Sequence, residues 1–155
     1  MIQFQGLILG LLLFSIASPA LADEYAVYTT ENRFADVMDG LELAIQQRGM
    51  FINNVMHMNE MLERTGADLD LGDALFGQAD SIEFCSAVLS RKMIREDPRR
   101  IVNCPFIIAV YTLPDEAGTT YVAHRQIPDS ETEASPAMQE VATMLQEIAE
   151  EAISW

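Results

Sequence analysis

Positive charge is scarce in this sequence. Its 155 residues include nine lysines and arginines against 24 aspartates and glutamates, and the formal net charge is −15. Such a chain is repelled by nucleic-acid phosphates and anionic lipid headgroups, which argues against DNA, RNA or a membrane surface as the main partner. The charge either attracts a basic protein partner or serves solubility alone, and the sequence leaves both explanations open.

Catalytic motifs are also missing. The chain has only two histidines, no Gly-x-Ser-x-Gly nucleophile elbow and no glycine-rich phosphate loop. The acidic stretch with Asp68, Asp70 and Asp73 lacks the glycine and the final glutamate of a calcium-binding loop. No catalytic residue is therefore assigned, and the sequence favours a non-catalytic binding or accessory module.

Charged side chains are absent from the first 22 residues. An apolar run over residues 6–17 is followed by Ala20-Leu21-Ala22, directly before Asp23. This pattern predicts a secretory signal peptide at residues 1–22, cleaved after Ala22. The alternative is an uncleaved anchor, but the run falls short of the roughly 20 apolar residues of a spanning helix. Cleavage would leave residues 23–155 as a single periplasmic or secreted domain with no stable membrane insertion.

Cysteine is also rare, with only Cys85 and Cys104, 19 positions apart. This spacing fits neither a Cys-x-x-Cys redox motif nor a zinc finger. In an exported protein an even number of cysteines favours a structural disulfide. Two buried free thiols, or a thiol-redox pair activated by the nearby Arg91 and Lys92, are the alternatives.

Hydrophobic periodicity predicts an alternation of strands and helices. Strands are predicted at residues 25–30, 50–58, 74–77, 106–113 and 119–127, helices at 33–48, 59–64, 80–96 and 136–154, and a surface loop at 128–134. Asp80 and Glu83 have the spacing of a capping box, and Ser135-Pro136 is a typical helix start. The order of elements predicts an α+β, two-layer sandwich, with a mostly antiparallel sheet of four to five strands and helices packed on one face.

Several segments between residues 57 and 127 follow one family pattern. They include a strand ending at His57, a Phe76-Gly77 pair, a helix that runs into Asp97-Pro98, and a closing hairpin. In these features the chain resembles the small family called domain of unknown function 302, over about residues 25–127. The stretch at 84–93 and the later Cys104-Pro105 are similar to an exported, two-cysteine branch. The resemblance implies a compact α/β fold but no reaction, because the family has no established function.

His57 lies in a methionine-rich stretch with Met56, Met58 and Met61. Imidazole and thioether groups bind copper, so a copper site on these residues is one alternative. On a strand, however, Met56 and Met58 face away from His57, and methionines commonly pack in cores. The favoured role of His57 is a hydrogen bond or cap at a strand–helix junction, and no cofactor is predicted.

Five of the nine basic residues are clustered near the end of one predicted helix. They are Arg91, Lys92, Arg95, Arg99 and Arg100. The cluster could bind an anion or an acidic partner, since guanidinium groups grip carboxylates and phosphates. A solvated helix end, where cations complement the helix dipole, is the favoured interpretation.

His124 and Arg125 alternate on the last predicted strand, so one of them faces the sheet surface opposite the helices. Such a residue either contacts a ligand or lines a solvated face. The leading hypothesis is therefore an exported module that works through its surface, with an unidentified protein or small molecule as partner. A homodimer is left open, and the thiol-redox and copper hypotheses remain alternatives.

Overall fold

The chain folds as one antiparallel sheet with helices packed against it. The computed structural model describes residues 24–155, and the predicted signal peptide lies outside this range. The strands are β1 (Tyr25–Thr30), β2 (Phe51–Met56), β3 (Gln78–Cys85), β4 (Phe106–Thr112) and β5 (Thr120–Arg125). The helices are α1 (Phe34–Gln47), α2 (Met58–Leu69), α3 (Ala87–Glu96), α4 (Asp129–Ala134) and α5 (Pro136–Ile153), and a 3₁₀ helix spans Pro98–Asn103. The sheet order is β1-β5-β4-β3-β2, which confirms the predicted α+β class with five strands.

The hydrophobic core lies between one face of the sheet and helices α1 and α5. Strand β4 alternates the buried Phe106, Ile108 and Val110 with side chains on the other face. This alternation follows from the two-residue period of a strand, which sends successive side chains to opposite faces. The helices supply apolar stripes at helical spacing, as the periodicity predicts. Their buried residues are Val37, Met38, Leu41, Ala44 and Ile45 on α1 and Ala137, Met138, Val141, Met144, Leu145, Ile148, Ala149 and Ala152 on α5.

Helix α5 begins with the predicted serine and proline, whereas no side chain caps the start of α1. The Ser135 hydroxyl accepts the Met138 backbone N–H at 3.1 Å, and Pro136 occupies the first turn. Asn32 does not cap α1. Its side-chain amide instead donates to the Ile153 carbonyl at 3.0 Å, because the end of α5 lies beside the loop that precedes α1.

The predicted strand at residues 74–77 is wrong, and the predicted helix at 80–96 is wrong in its first half. Residues 74–77 are irregular, and β3 occupies residues 78–85. The capping-box spacing is misleading because Ile82 and Phe84 alternate into the core and pair with Ile108 and Phe106 of β4. Helix α3 begins only after Ser86, whose hydroxyl accepts the backbone N–H three residues later at 3.3 Å.

Two polar segments are more helical than predicted. Helix α2 runs on to Leu69, although it has no fully buried residue and packs mainly on β3. The predicted loop at 128–134 contains the short helix α4. Among residues 24–155, no helix is both long and apolar enough to cross a membrane.

Candidate functional site

The sheet face opposite α1 and α5 carries large apolar side chains in contact with solvent. On this open face Tyr25 is 56%, Val27 51% and Ile107 50% exposed. Phe51 and Met56 extend the same exposure onto β2. An antiparallel sheet with one solvated face normally carries polar residues there. The open face is therefore unusual in its composition.

The strand register arranges the open face in rows across the sheet. One row joins Val27, Ala123, Ala109, Ser81 and Met56, each paired with the next across neighbouring strands. Its three central members are small, and its two outer members are larger. The row is therefore a shallow trough whose floor lies on β5, β4 and β3.

A groove of about 440 Å³ opens at one end of this trough. It lies between Tyr25, Ile107 and Val102, and the small Ala109 and Ala123 form part of its floor. Its volume falls within the range of about 300–1,000 Å³ that is typical of ligand pockets. The lining is largely apolar, so the groove fits apolar groups.

Two acidic residues and one basic residue accompany these apolar side chains. Glu83 pairs with Ile107 across β3 and β4, and Arg125 pairs with Tyr25 across β5 and β1. Arg125 lies 3.5 Å from the carboxylate of Glu24, and both side chains are well exposed. Exposed pairs of this kind contribute little to stability, so Arg125 and Glu24 can both exchange partners.

The opposite end of the open face is covered by aromatic rings. Tyr111 and Tyr121 stack with ring centroids 4.9 Å apart, and Phe76 packs edge-on against Tyr111 at 5.5 Å. The Tyr121 hydroxyl donates to Glu116, and this hydrogen bond raises the pKa of Tyr121. The cluster therefore confines the exposed apolar area to the end that contains the groove.

Of the two candidates on β5, only Arg125 lies on the open face. His124 lies on the helix-facing side and is 7% exposed. Its Nδ1 atom is 3.0 Å from the Arg125 carbonyl oxygen, which can only accept, so Nδ1 carries the proton. The free Nε2 then accepts from the Tyr28 hydroxyl, 3.4 Å away. Burial lowers the pKa of His124, and the bond to the carbonyl only partly opposes that effect.

The basic cluster is largely neutralised by neighbouring carboxylates. Lys92 binds Glu140 at 2.6 Å, Arg99 binds Asp97 at 2.6 Å, and Arg100 binds Glu96 at 2.8 Å. Hydrogen bonds from Arg99 hold the pKa of Asp97 down to about 2. Within the described residues, Arg91 and Arg95 have no carboxylate within 4.0 Å. The structure therefore divides the predicted anion patch into three ion pairs and two exposed arginines.

The residues of the predicted copper site do not share one face. His57 precedes α2 and binds Asp80 at 3.2 Å, whereas Met56 pairs with Ser81 on the open face. Met58 and Met61 lie on α2, beyond His57. In residues 24–155, no three His, Cys, Asp or Glu side chains are grouped so that they could hold a metal ion. His57 has the hydrogen-bonding position at a strand–helix junction that the sequence favours.

Cys85 and Cys104 are joined in a disulfide, with their Cα atoms 6.1 Å apart. Cys85 ends β3, and Cys104 lies just before β4, the neighbouring strand. The bond therefore closes the connection that carries α3 and the 3₁₀ helix.

Sequence reasoning missed most of the open face. Tyr25, Val27 and Ile107 lie within strands that were predicted, but their exposure depends on which side the helices cover. The alternation of residues along a strand shows that the two faces of the sheet differ in polarity. It does not show whether helices cover only the more apolar face or both faces. Tyr28 was also missed, because its approach to His124 depends on the pairing of β1 with β5.

The fold and the family are established by comparison with known proteins. A family described as "Domain of unknown function DUF302" matches residues 25–153. No curated protein matches the chain. A crystal structure of an uncharacterized conserved protein DUF302 from Bacillus stearothermophilus is 15% identical with a TM-score of 0.67, and the match covers 84% of this chain and 99% of that one. At this identity the structural likeness shows the fold alone, whereas the family match spans most of the sequence, and the protein therefore belongs to the DUF302 family.

Proposed function

We propose that the protein is an exported, non-catalytic module that binds a partner protein on the open face of its sheet. The observation that carries this proposal is the exposure of Tyr25, Val27 and Ile107 on one uncovered surface. Contiguous exposed apolar surface on a soluble domain typically marks an interaction site. The groove beside Ile107 would receive an apolar side chain of the partner, the usual arrangement of an interface hot spot.

Charge decides which kind of partner fits. The net charge of −15 repels a second copy of this chain and attracts a basic protein over the Debye length of about 8–10 Å. Glu83 and Glu24 lie beside the apolar side chains, where they would meet basic residues of the partner. The partner is therefore a basic protein whose apolar side chains are framed by lysines or arginines.

Two features support export. The sequence of residues 1–22 has the pattern of a cleaved signal peptide. The paired Cys85 and Cys104 suit an oxidising compartment such as the periplasm or the extracellular medium.

The copper and thiol-redox hypotheses have weaker support from the geometry. His57 is engaged by Asp80 on one side of the sheet, while Met56 lies on the other. The disulfide joins two segments that already approach each other through the pairing of β3 with β4. Neither arrangement favours these alternatives over the binding module.

Size measurement of the native complex tests the proposal. The tagged protein would be recovered from the exported fraction at low salt and run on gel filtration beside two variants. Ile107→Lys replaces the central apolar side chain of the open face, and Val88→Lys makes the same change at an exposed position on α3. We expect wild type and Val88→Lys to elute well above the monomer mass, and Ile107→Lys to elute as a monomer.

Salt supplies the second readout, since an acidic module on a basic partner dissociates as ionic strength rises. A wild-type protein that elutes as a monomer at low salt would overturn the proposal. Elution of the purified protein at twice its monomer mass would show that a second copy occupies the face.

A further inference from the structure

A second cavity, of about 370 Å³, lies on the other side of β5 from the open face. It is bounded by Ala26 and Tyr28 of β1, the edge strand, and by α4 and α5. His124 forms its inner wall, and Ala142 lies on the α5 side. This polar cleft takes no part in the proposed protein interface.

The lining of the cleft is unusually rich in uncharged hydrogen-bonding groups. Gln139 and Gln146 lie seven residues apart on α5, so they line the same helix face two turns apart. Thr132 of α4 and Gln126, which follows β5, complete the polar lining. Three amides and a hydroxyl therefore surround a cavity that is large enough for a small ligand.

At the inner wall, His124 supplies a hydrogen-bond acceptor and Tyr28 a donor, but the two atoms are too far apart for a good hydrogen bond. The distance from the Tyr28 hydroxyl to His124 Nε2 is 3.4 Å, longer than the usual range of about 2.7–3.2 Å. Because the Arg125 carbonyl fixes the proton on Nδ1, Nε2 is an acceptor, and the long contact from Tyr28 is its hydrogen bond within the described residues. A buried imidazole with so long a contact gains from a ligand hydroxyl or N–H that approaches more closely.

The charges around the cleft limit what it can hold. Among the described residues, Asp129 is the only charged one in the lining, and burial, with a further contribution from the nearby Glu150 carboxylate, raises the pKa of Tyr28. No lysine or arginine lines the cavity, within the described part of the chain. An anionic ligand would therefore be repelled.

We infer that the polar cleft binds a small, uncharged molecule that offers several hydroxyl or amide groups. Gln139, Gln146 and Thr132 would bind its outer groups, and His124 Nε2 with the Tyr28 hydroxyl would bind the innermost one. This inference does not rest on the proposed protein interface, because Tyr25, Val27 and Ile107 do not line the cleft, although His124 and Ile127 border both cavities.

Titration followed by amide and imidazole NMR signals tests the inference on the folded domain. The probes are D-glucose and N-acetylglucosamine, with glucose 6-phosphate as the anionic counterpart. We expect the neutral probes to shift the signals of His124 and of the α5 residues around Ala142 at millimolar concentration. Glucose 6-phosphate should bind about tenfold more weakly, or not at all, because of the acidic surroundings.

Variants on the exposed side of the cleft keep the test independent of folding. Gln139→Ala and Gln146→Ala should each weaken binding by up to about tenfold, the effect of one net hydrogen bond. Gln46→Ala, a change of another exposed glutamine, on α1, should leave binding unchanged. The inference is overturned if neither neutral probe shifts the cleft signals, if glucose 6-phosphate binds as tightly, or if the cleft variants bind like wild type.

Discussion

Ser135 is the side chain whose removal tests the packing of α5 most sharply. It is 1% exposed, and its hydroxyl caps α5 through the Met138 N–H. The same hydroxyl donates to the Glu96 carboxylate and accepts from Arg100 at 2.9 Å. One oxygen therefore links α5 to the end of α3 and to the 3₁₀ helix. Ser135→Ala removes all three contacts without changing the apolar core.

The expected cost follows from these contacts. Loss of a serine N-cap costs about 1 kcal/mol. Bonds to charged groups contribute about 1.5–3 kcal/mol each when buried, but Glu96 and Arg100 keep their direct ion pair and are partly solvated. We therefore expect Ser135→Ala to lower the free energy of unfolding by about 2–3 kcal/mol, or about 6–12 °C in Tm for a domain of this size.

Ser86→Ala is the matched control, because Ser86 caps α3 through a backbone N–H without joining a charged network. Urea unfolding should show a loss of about 1 kcal/mol for this variant. The Ser135 hydroxyl is the main cause of the lowered pKa of Glu96, whose ordinary value is 4.5. A carboxylate with a lowered pKa stabilises the fold above that value and ceases to do so as the pH falls. The deficit of Ser135→Ala should therefore shrink below about pH 4.5, and equal, pH-independent losses in both variants would refute this reasoning.

Three further predictions concern the cross-link, the buried histidine and the open face. Replacing Cys85 and Cys104 by serine should lower the unfolding free energy by about 3 kcal/mol in urea titrations, as expected for a disulfide between residues 19 positions apart. An unchanged midpoint of the urea unfolding transition would contradict a structural role of the bond. The pKa of His124 is lowered from 6.5, so the unfolded chain binds the proton first, and the free energy of unfolding should fall as the pH drops below about 6.5. His124→Gln should reduce this pH dependence of stability. If the variant keeps the full pH dependence, another group causes it. Ile107→Lys should change the unfolding free energy by less than about 1 kcal/mol, since the side chain is half exposed and the new lysine lies opposite Glu83. A larger loss would show that Ile107 stabilises the fold rather than an interface.

Local patterns were sufficient for the fold class and for most elements. The apolar run that begins at Phe106 and the Ser135-Pro136 helix start both appear in the structure where they were expected. Gly40 lies in the middle of α1, although glycine is a poor helix former. The structure explains it by tertiary contact, because a Cβ at this position would lie 2.7 Å from Trp155 Cβ at the end of the chain. No local pattern contains that approach.

The failures share one physical origin. Asp80 and Glu83 satisfy a capping pattern, yet β3 forms there because its alternate residues, Ile82 and Phe84, pack into a core built by distant strands. The candidate site could be predicted only in part for the same reason. The alternation of His124 and Arg125 predicted that one of them lies on the open face, but not which, and the exposure of Val27 follows from which side α1 and α5 cover.

Site-specific photo-crosslinking from the open face is the measurement that tests the central claim most directly. A photoreactive phenylalanine analogue at Val27 would be compared with the same group at Val88, which is also exposed but lies on α3. After irradiation of the native exported fraction, we predict one discrete adduct from position 27 and none from position 88. The crosslinked peptide should come from another protein and carry lysine or arginine beside an apolar residue. An adduct between two copies of this chain, or equal labelling from both positions, would contradict the account.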